Sequence, residues 1–150
     1  MRTSLLLQIA RTAAVLLLGL YAGGVLFGVL APSVMLLPGS AYLPYWQALN
    51  ADYGRAMPVL LLTTLAFLVL TCILSFLDRR GQRIFILSVV ALLLTIATIV
   101  LTVTQFEPLN RLANSWTVEN LPTEWVDVRA RWWTLHIIRT ILAVLAFARF

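Results

Sequence analysis

The sequence contains no lysine, one histidine and one cysteine, and only 11% of its 150 residues are charged. A soluble domain commonly carries about 25% charged residues, so a water-facing surface of ordinary composition is excluded. With Cys72 as the sole cysteine, an intrachain disulfide and a cysteine-based metal centre are excluded as well. Cys72 falls inside an apolar run, where a thiol serves as a small hydrophobe. The one histidine, His136, cannot build a conventional protein metal site alone. No metal and no cofactor is predicted; His136 as a single axial haem ligand, or a bound quinone, is compatible with the sequence but no motif specifies either. The phosphate loop, nucleophile elbow and His-Glu zinc motif of soluble enzymes are missing too. No Pro-, Gly- or Ser-rich linker, internal repeat or low-complexity tract divides the chain, so a single domain spanning 1–150 is expected.

What is present is apolar. Hydrophobic residues make up 61% of the chain and gather in four runs, roughly 12–31, 58–77, 84–106 and 132–148. A helix crosses the hydrocarbon core of a bilayer with about 20 such residues, so each run is read as a transmembrane span. The first, preceded by Arg2 and Arg11, has the outline of a signal peptide, but its apolar stretch exceeds a usual signal core and it is read as a retained span.

The net charge of +5 arises from eleven arginines against six acids. All the arginines but Arg139 lie at the ends of the runs or in the loops rather than in a basic stripe interleaved with aromatics, so nucleic acid is not an expected partner. Instead they report topology, because positive charge stays on the cytoplasmic side. Arg2, Arg11, the turn Asp78-Arg79-Arg80-Gly81-Gln82-Arg83 and Arg149 fall on one side. The other side holds Asp52 and Arg55, then Glu107, Arg111, Glu119, Glu124, Asp127, Arg129 and Arg131, and is close to neutral. The expectation is an all-α, four-span bundle in a bacterial inner membrane, with both termini cytoplasmic and two long loops outside. Gly19 with Gly23, and Gly24 with Gly28, form small-residue pairs on the first span that allow close helix approach, within the bundle or in a dimer.

Both outer loops carry helical periodicity. Tyr42, Tyr45, Trp46, Leu49 and Tyr53 follow it around Pro44, and Leu109, Leu112 and Trp116 repeat it, which predicts short interfacial helices. An aromatic belt at the membrane surface accounts for these residues; a lid over a cavity between the spans is the alternative.

The fourth run carries an anomaly. Arg139 lies seven residues from Trp132 and ten from Arg149, so it sits roughly 10 Å and 15 Å from the two ends at ~1.5 Å per residue. A charge at that depth costs at least ~2.5–3.5 kcal/mol, which demands an inward orientation and a partner. Trp132 and His136 share its helix face, as do Trp125 and Arg129 if the helix starts near Thr123. On the third span Thr95, Thr98, Thr102 and Gln105 form a polar stripe, although threonines in membrane helices often bond only their own backbone. Beyond it, Pro108 is expected to end or bend the helix, and Glu107 is the carboxylate best placed to neutralise Arg139 or act as a base.

Two segments carry a resemblance. Pro108-Leu109-Asn110-Arg111-Leu112, followed by Arg131-Trp132-Trp133-Thr134-Leu135-His136-Ile137-Ile138-Arg139-Thr140, resembles the anthrone oxygenase-like family of small four-helix membrane proteins. The glycines of the first span and Arg55-Ala56-Met57-Pro58 are similar to it as well. The resemblance implies oxidation of an anthrone by molecular oxygen without a clearly required metal or flavin, and it selects Pro108, Asn110, Trp132, His136 and Arg139. His136, Arg139, Asn110 and Glu107 are accordingly the candidate catalytic residues; Trp132, Trp133, Thr102 and Gln105 are the candidate substrate contacts. The expected partners are the bilayer and an apolar or aromatic small molecule. The competing expectation is a non-catalytic membrane subunit of a larger complex, or a binder of lipid, quinone or pigment.

Overall fold

A computed structural model describes residues 2–78 and 82–150, with side chains from residue 5 onward in the first helix. It is all-α: α1 (Arg2–Leu30), a 3-10 turn (Pro32–Leu36), α2 (Gly39–Leu77), α3 (Gln82–Leu101), a π-helical turn (Thr102–Phe106), α4 (Glu107–Asn114) and α5 (Trp125–Arg149). Among the described residues four stretches are long and apolar enough to cross a membrane: Leu5–Leu30, Gly39–Leu77, Gln82–Asn114 and Trp125–Arg149. An 18-residue portion of each has a mean hydropathy of 2.3, 2.6, 3.0 and 1.2 in turn, so the apolar portion of the fourth is the least apolar, in keeping with the charge it carries. The chain is an integral membrane protein. Leu16, Leu20, Phe27, Phe76 and Val100 point outward, where lipid rather than water is the solvent that tolerates them.

Packing occurs in three layers along the bundle. Ala14, Leu18, Leu68, Ala91 and Ala146 form the first layer, and Tyr21, Ala22, Val25, Leu61 and Ala143 the middle one. The third, of Tyr42, Leu43, Trp46, Leu109 and Ala113, belongs to the connecting segments. Where α2 meets α3 the buried residues are small: Thr64, Thr71 and Ser75 face Ser88, Ala91, Thr95 and Thr98. Small side chains let two membrane helices approach closely, where dispersion replaces the hydrophobic effect as the cohesive force. The Arg11 guanidinium donates to the Phe150 carbonyl at 3.3 Å, which puts the start of α1 and the end of α5 at one end of the bundle. The expected arginine turn at 78–83 includes residues 79–81, which lie outside the described residues.

Three boundaries differ from the sequence reading. The separate interfacial helix expected around Pro44 is instead the first half of α2, which runs unbroken for 39 residues with Pro44 and Pro58 inside it. At ~1.5 Å per residue that is about 58 Å, nearly twice the ~30 Å hydrocarbon core. Each interior proline costs about 3 kcal/mol. Burial of Tyr42, Leu43 and Trp46, each 2% exposed, returns roughly 1.5–3 kcal/mol per side chain and holds the first half helical.

The second difference lies at Pro108, which opens α4 rather than ending a helix. A proline lacks the N–H for the helical ladder and its ring crowds the carbonyl four residues earlier. The π turn just before it, in which the Glu107 N–H reaches the Thr102 carbonyl, absorbs that conflict with one wider turn. Third, α5 starts at Trp125, seven residues ahead of the apolar run.

Candidate functional site

The helical repeat puts Trp132, His136 and Arg139 on one face of α5, and the structure brings all three together. The indole of Trp132 stacks on the imidazole of His136 at 5.1 Å and 13°, while Trp133 flanks that ring at 6.0 Å. Arg139 Nη2 donates to His136 Nδ1 at 2.9 Å. A guanidinium has no acceptor, so Nδ1 contributes its lone pair and the ring is the neutral tautomer with its proton on Nε2.

Among the described residues Arg139 has no carboxylate partner. Its guanidinium carbon lies 4.1 Å above the centre of the Phe106 ring, a cation–π contact of the kind worth about 2 kcal/mol when desolvated. The titratable groups that act on it electrostatically are the phenols of Tyr21 on α1 and Tyr53 on α2. Glu107, expected to neutralise it, instead accepts from Arg111 Nε at 3.0 Å on the exposed side of α4. The reason is local: residues four apart on a helix always face one another, whereas Arg139 projects into the bundle.

Among the described residues three enclosed polar side-chain atoms have no hydrogen-bond partner: the Tyr21 hydroxyl, His136 Nε2 and Arg139 Nε. Each buried polar atom left unpaired costs roughly 1–3 kcal/mol, and two of the three belong to the His136–Arg139 pair. The Val25 carbonyl is near enough to influence the His136 ring, yet it does not complete a hydrogen bond with Nε2. It accepts instead, at 3.4 Å, from Thr140, which also donates to the His136 carbonyl at 2.8 Å.

Above this centre the connecting segments form a ceiling. Asn110 Oδ1 accepts from both Trp46 Nε1 and Trp132 Nε1, each at 3.1 Å. The aromatic series continues from Phe106 through Trp132 and Trp46 to Tyr42, with edge-on contacts of 5.7–5.8 Å. Gln47 Nε2 donates to the Ala113 and Trp116 carbonyls at 2.9 and 3.0 Å, satisfying acceptors that the end of α4 leaves open. Arg129 donates to the Leu37 carbonyl at 3.0 Å and lies over the rings of Trp125 and Tyr42. Tyr42 and Trp46 are therefore core residues of a lid, while Tyr45 and Tyr53 face outward as a belt would require.

The remaining candidates sit apart from the centre. Thr102 bonds the Thr98 carbonyl and Gln105 accepts from Arg131, so neither is directed at Arg139. Thr95 and Thr98 likewise bond their own helix. Asn110 does join the ensemble, with its carbonyl oxygen given to two indoles. Trp46, read from the sequence as belt or lid, completes the site together with Tyr21 and Phe106, which escaped the sequence reading; the one signal for Tyr21 is its place with Val25 and Gly28 on a single face of α1. An apolar groove of about 320 Å³ lies outside the centre, between α1 and α5, lined by Leu26, Val29, Ile137, Thr140, Ile141 and Val144 among others.

Gly28 has a specific duty. A β-carbon there would come within 2.5 Å of His136 Nε2, whereas one at Gly23 would meet nothing within 4 Å. Gly28→Ala is expected to push the imidazole off its present position and lower ligand affinity about tenfold or more, while Gly23→Ala leaves it unchanged; titration of both variants with a planar phenol checks this.

Compared with known proteins, a family model described as anthrone oxygenase matches residues 46–149. No curated protein and no solved structure matches the chain. The matched segment holds Trp46 and α4 of the lid, the π turn and all of α5 up to Arg149; α1, with Tyr21 and Gly28, and Tyr42 and Leu43 of the lid precede it.

Proposed function

We propose that this chain, which belongs to the anthrone oxygenase family, is a membrane-embedded oxygenase that oxidises a planar phenolic carbon acid of the anthrone type with molecular oxygen. The observation that carries this reading is the set of unpaired, enclosed polar atoms around Arg139 beneath an aromatic ceiling. A low-dielectric site with fixed donors stabilises a developing oxyanion far more than water does.

The chemistry follows from the hydrogen bond that now joins His136 and Arg139. The substrate carbonyl oxygen competes for the guanidinium and releases the Nδ1 lone pair, so binding itself switches on the base. Nδ1 then removes a proton from the doubly activated ring carbon, and the electron pair moves onto the oxygen held by Arg139. The anion passes one electron to oxygen, and the resulting radical pair joins at that carbon as a peroxide, which takes the proton back from the imidazolium. Loss of the second proton from the same carbon to Nδ1 breaks the O–O bond and forms the new carbonyl. The expelled hydroxide leaves as water with that proton. Anthrone and oxygen thus give anthraquinone and water, with carbon oxidised and oxygen reduced in balance.

Orientation belongs to the same reading. Arg11, Arg83 and Arg149 lie toward the ends of α1, α3 and α5 that face the cytoplasm under the positive-inside rule, which sets the lid on the opposite side of a bacterial inner membrane.

Purified protein in lipid nanodiscs, supplied with anthrone in an oxygen electrode, is expected to take up one molecule of oxygen for each quinone formed. His136→Ala should lower kcat by roughly 10²–10⁴-fold, the usual contribution of a positioned base. Turnover of the variant at the wild-type rate would overturn the role of His136; no uptake above background by the wild type would overturn the activity.

A further inference from the structure

The matched segment starts at Trp46, yet the site is not closed by that segment alone. Tyr21, on α1, is 3% exposed, and its hydroxyl is enclosed without a partner. A phenol in a bundle interior ordinarily finds an acceptor, and residues on the facing turns of α5 and α2 offer none within hydrogen-bond geometry. Tyr21 packs in one cluster with Ala143, one turn beyond Arg139 on α5, and its electrostatic neighbour is Arg139, whose own Nε is equally unpaired. Both groups are donors. Arg139 can only donate, and a tyrosine hydroxyl beside a guanidinium has its proton free to point elsewhere.

The unpaired Tyr21 hydroxyl, His136 Nε2–H and Arg139 Nε–H around one positive charge favour an acceptor carrying negative charge. The groups that surround this point are Tyr21 from α1 and His136 and Arg139 from α5, with the outward-facing Tyr53 of α2 acting only electrostatically, and the ring of Phe106 closes the side toward α4. None of these supplies a carboxylate. We propose that the Tyr21 hydroxyl and the Arg139 guanidinium together form the receptor for a single anionic oxygen, the phenolate or enolate oxygen of an aromatic ligand. The first helix is thereby part of the binding site and not only a scaffold. The inference rests on the functional reading above and adds to it the ionisation state of the ligand and a residue outside the matched segment.

The receptor selects the anion over the neutral phenol. A hydrogen bond to a charged partner is roughly twice as strong as a neutral one, so Tyr21 favours the ionised form beyond what Arg139 provides. Loss of the hydroxyl should therefore alter which form binds more than whether the aromatic body binds.

The test uses 1,8-dihydroxyanthraquinone, a planar phenol that is not a substrate for oxidation and whose anion absorbs at longer wavelength. Bound to wild-type protein in nanodiscs, it is expected to ionise at a lower pH than it does in protein-free nanodiscs. Tyr21→Phe should raise that midpoint by about one pH unit and weaken binding of the anion about tenfold, with little change for the neutral form. Phe retains the ring that packs beside Ala22, Val25 and Leu61, so the middle layer stays filled. A Tyr21→Phe protein with the wild-type midpoint overturns the proposal, as does wild-type protein that binds only the neutral dye. Because the dye is not turned over, a wild type that binds its anion through Tyr21 but consumes no oxygen upholds this inference while the oxygenase reading fails.

Discussion

Replacing Arg139 by methionine is expected to lower kcat by about 10²–10³-fold, the usual effect of removing one donor to a developing oxyanion, without destabilising the bundle. The two halves of that expectation come from the same geometry. Arg139 is half-buried with Nε enclosed and unpaired, and no carboxylate offsets its charge. Its contacts are the Phe106 ring at 4.1 Å and the lone pair of a neutral histidine at 2.9 Å. A buried ionic group swapped for an apolar one of similar volume is often neutral or stabilising by ~1–4 kcal/mol, because the desolvation penalty goes with it. Methionine fills much of the same space and retains favourable contact with the aromatic ring. Thermal denaturation in detergent should give a Tm equal to or above that of the wild type, alongside the lost turnover. A variant that is both active and less stable would mean that the arginine merely pins helices together.

The second large effect concerns Asn110. Asn110→Ala removes the acceptor of two indole N–H groups at once, those of Trp46 and Trp132. Trp46 is 2% exposed, so no water replaces the lost oxygen there. With ~1–3 kcal/mol for each orphaned donor, the loss is about 2–6 kcal/mol. At this chain length that corresponds to a Tm lower by roughly 5–20 °C. Activity should fall as well, since Trp132 stacks on His136 and orients the imidazole. The cost of Asn110→Ala should shrink in a Trp46→Phe background, where one donor is already gone, and a double-mutant cycle measures that difference. Additive effects of the two substitutions would show that the amide does not hold the indoles.

These two residues were legible in the sequence for different reasons. Arg139 declared itself by depth, because a charge in the middle of an apolar run has no alternative but to face inward. His136 and Trp132 followed from the helical repeat alone. Asn110 was singled out as a group for the substrate, whereas its carbonyl oxygen serves the lid. Glu107 was misassigned because the sequence gives a carboxylate's position along the chain but not its direction, and Arg111 one turn away satisfies it first.

Tyr21 and Gly28 were harder to read as site residues. In a run where nearly every residue is apolar, no contrast distinguishes the inward face from the face toward lipid, so Tyr21 looked like any other hydrophobe in α1. The fusion of the first loop into α2 was concealed by Pro44 and Pro58, which ordinarily mark helix limits. Local preference yielded there to the burial of Tyr42, Leu43 and Trp46 against α4 and α5, a tertiary effect that spacing alone does not reveal. The threonine stripe of α3 illustrates the reverse case. Its periodicity was correctly seen, but the hydroxyls of Thr95, Thr98 and Thr102 bond their own backbone and serve close packing.

The central claim is that the unpaired donors around Arg139 receive the oxygen of a planar aromatic ligand beneath the lid. Crystals grown in a lipidic phase with 1,8-dihydroxyanthraquinone test it most directly. The account predicts density for the ring system against Phe106 and Trp132, with one ligand oxygen in hydrogen-bond range of Arg139 and Tyr21. Density confined to the outer groove between α1 and α5, with the Arg139–His136 hydrogen bond undisturbed, would contradict it.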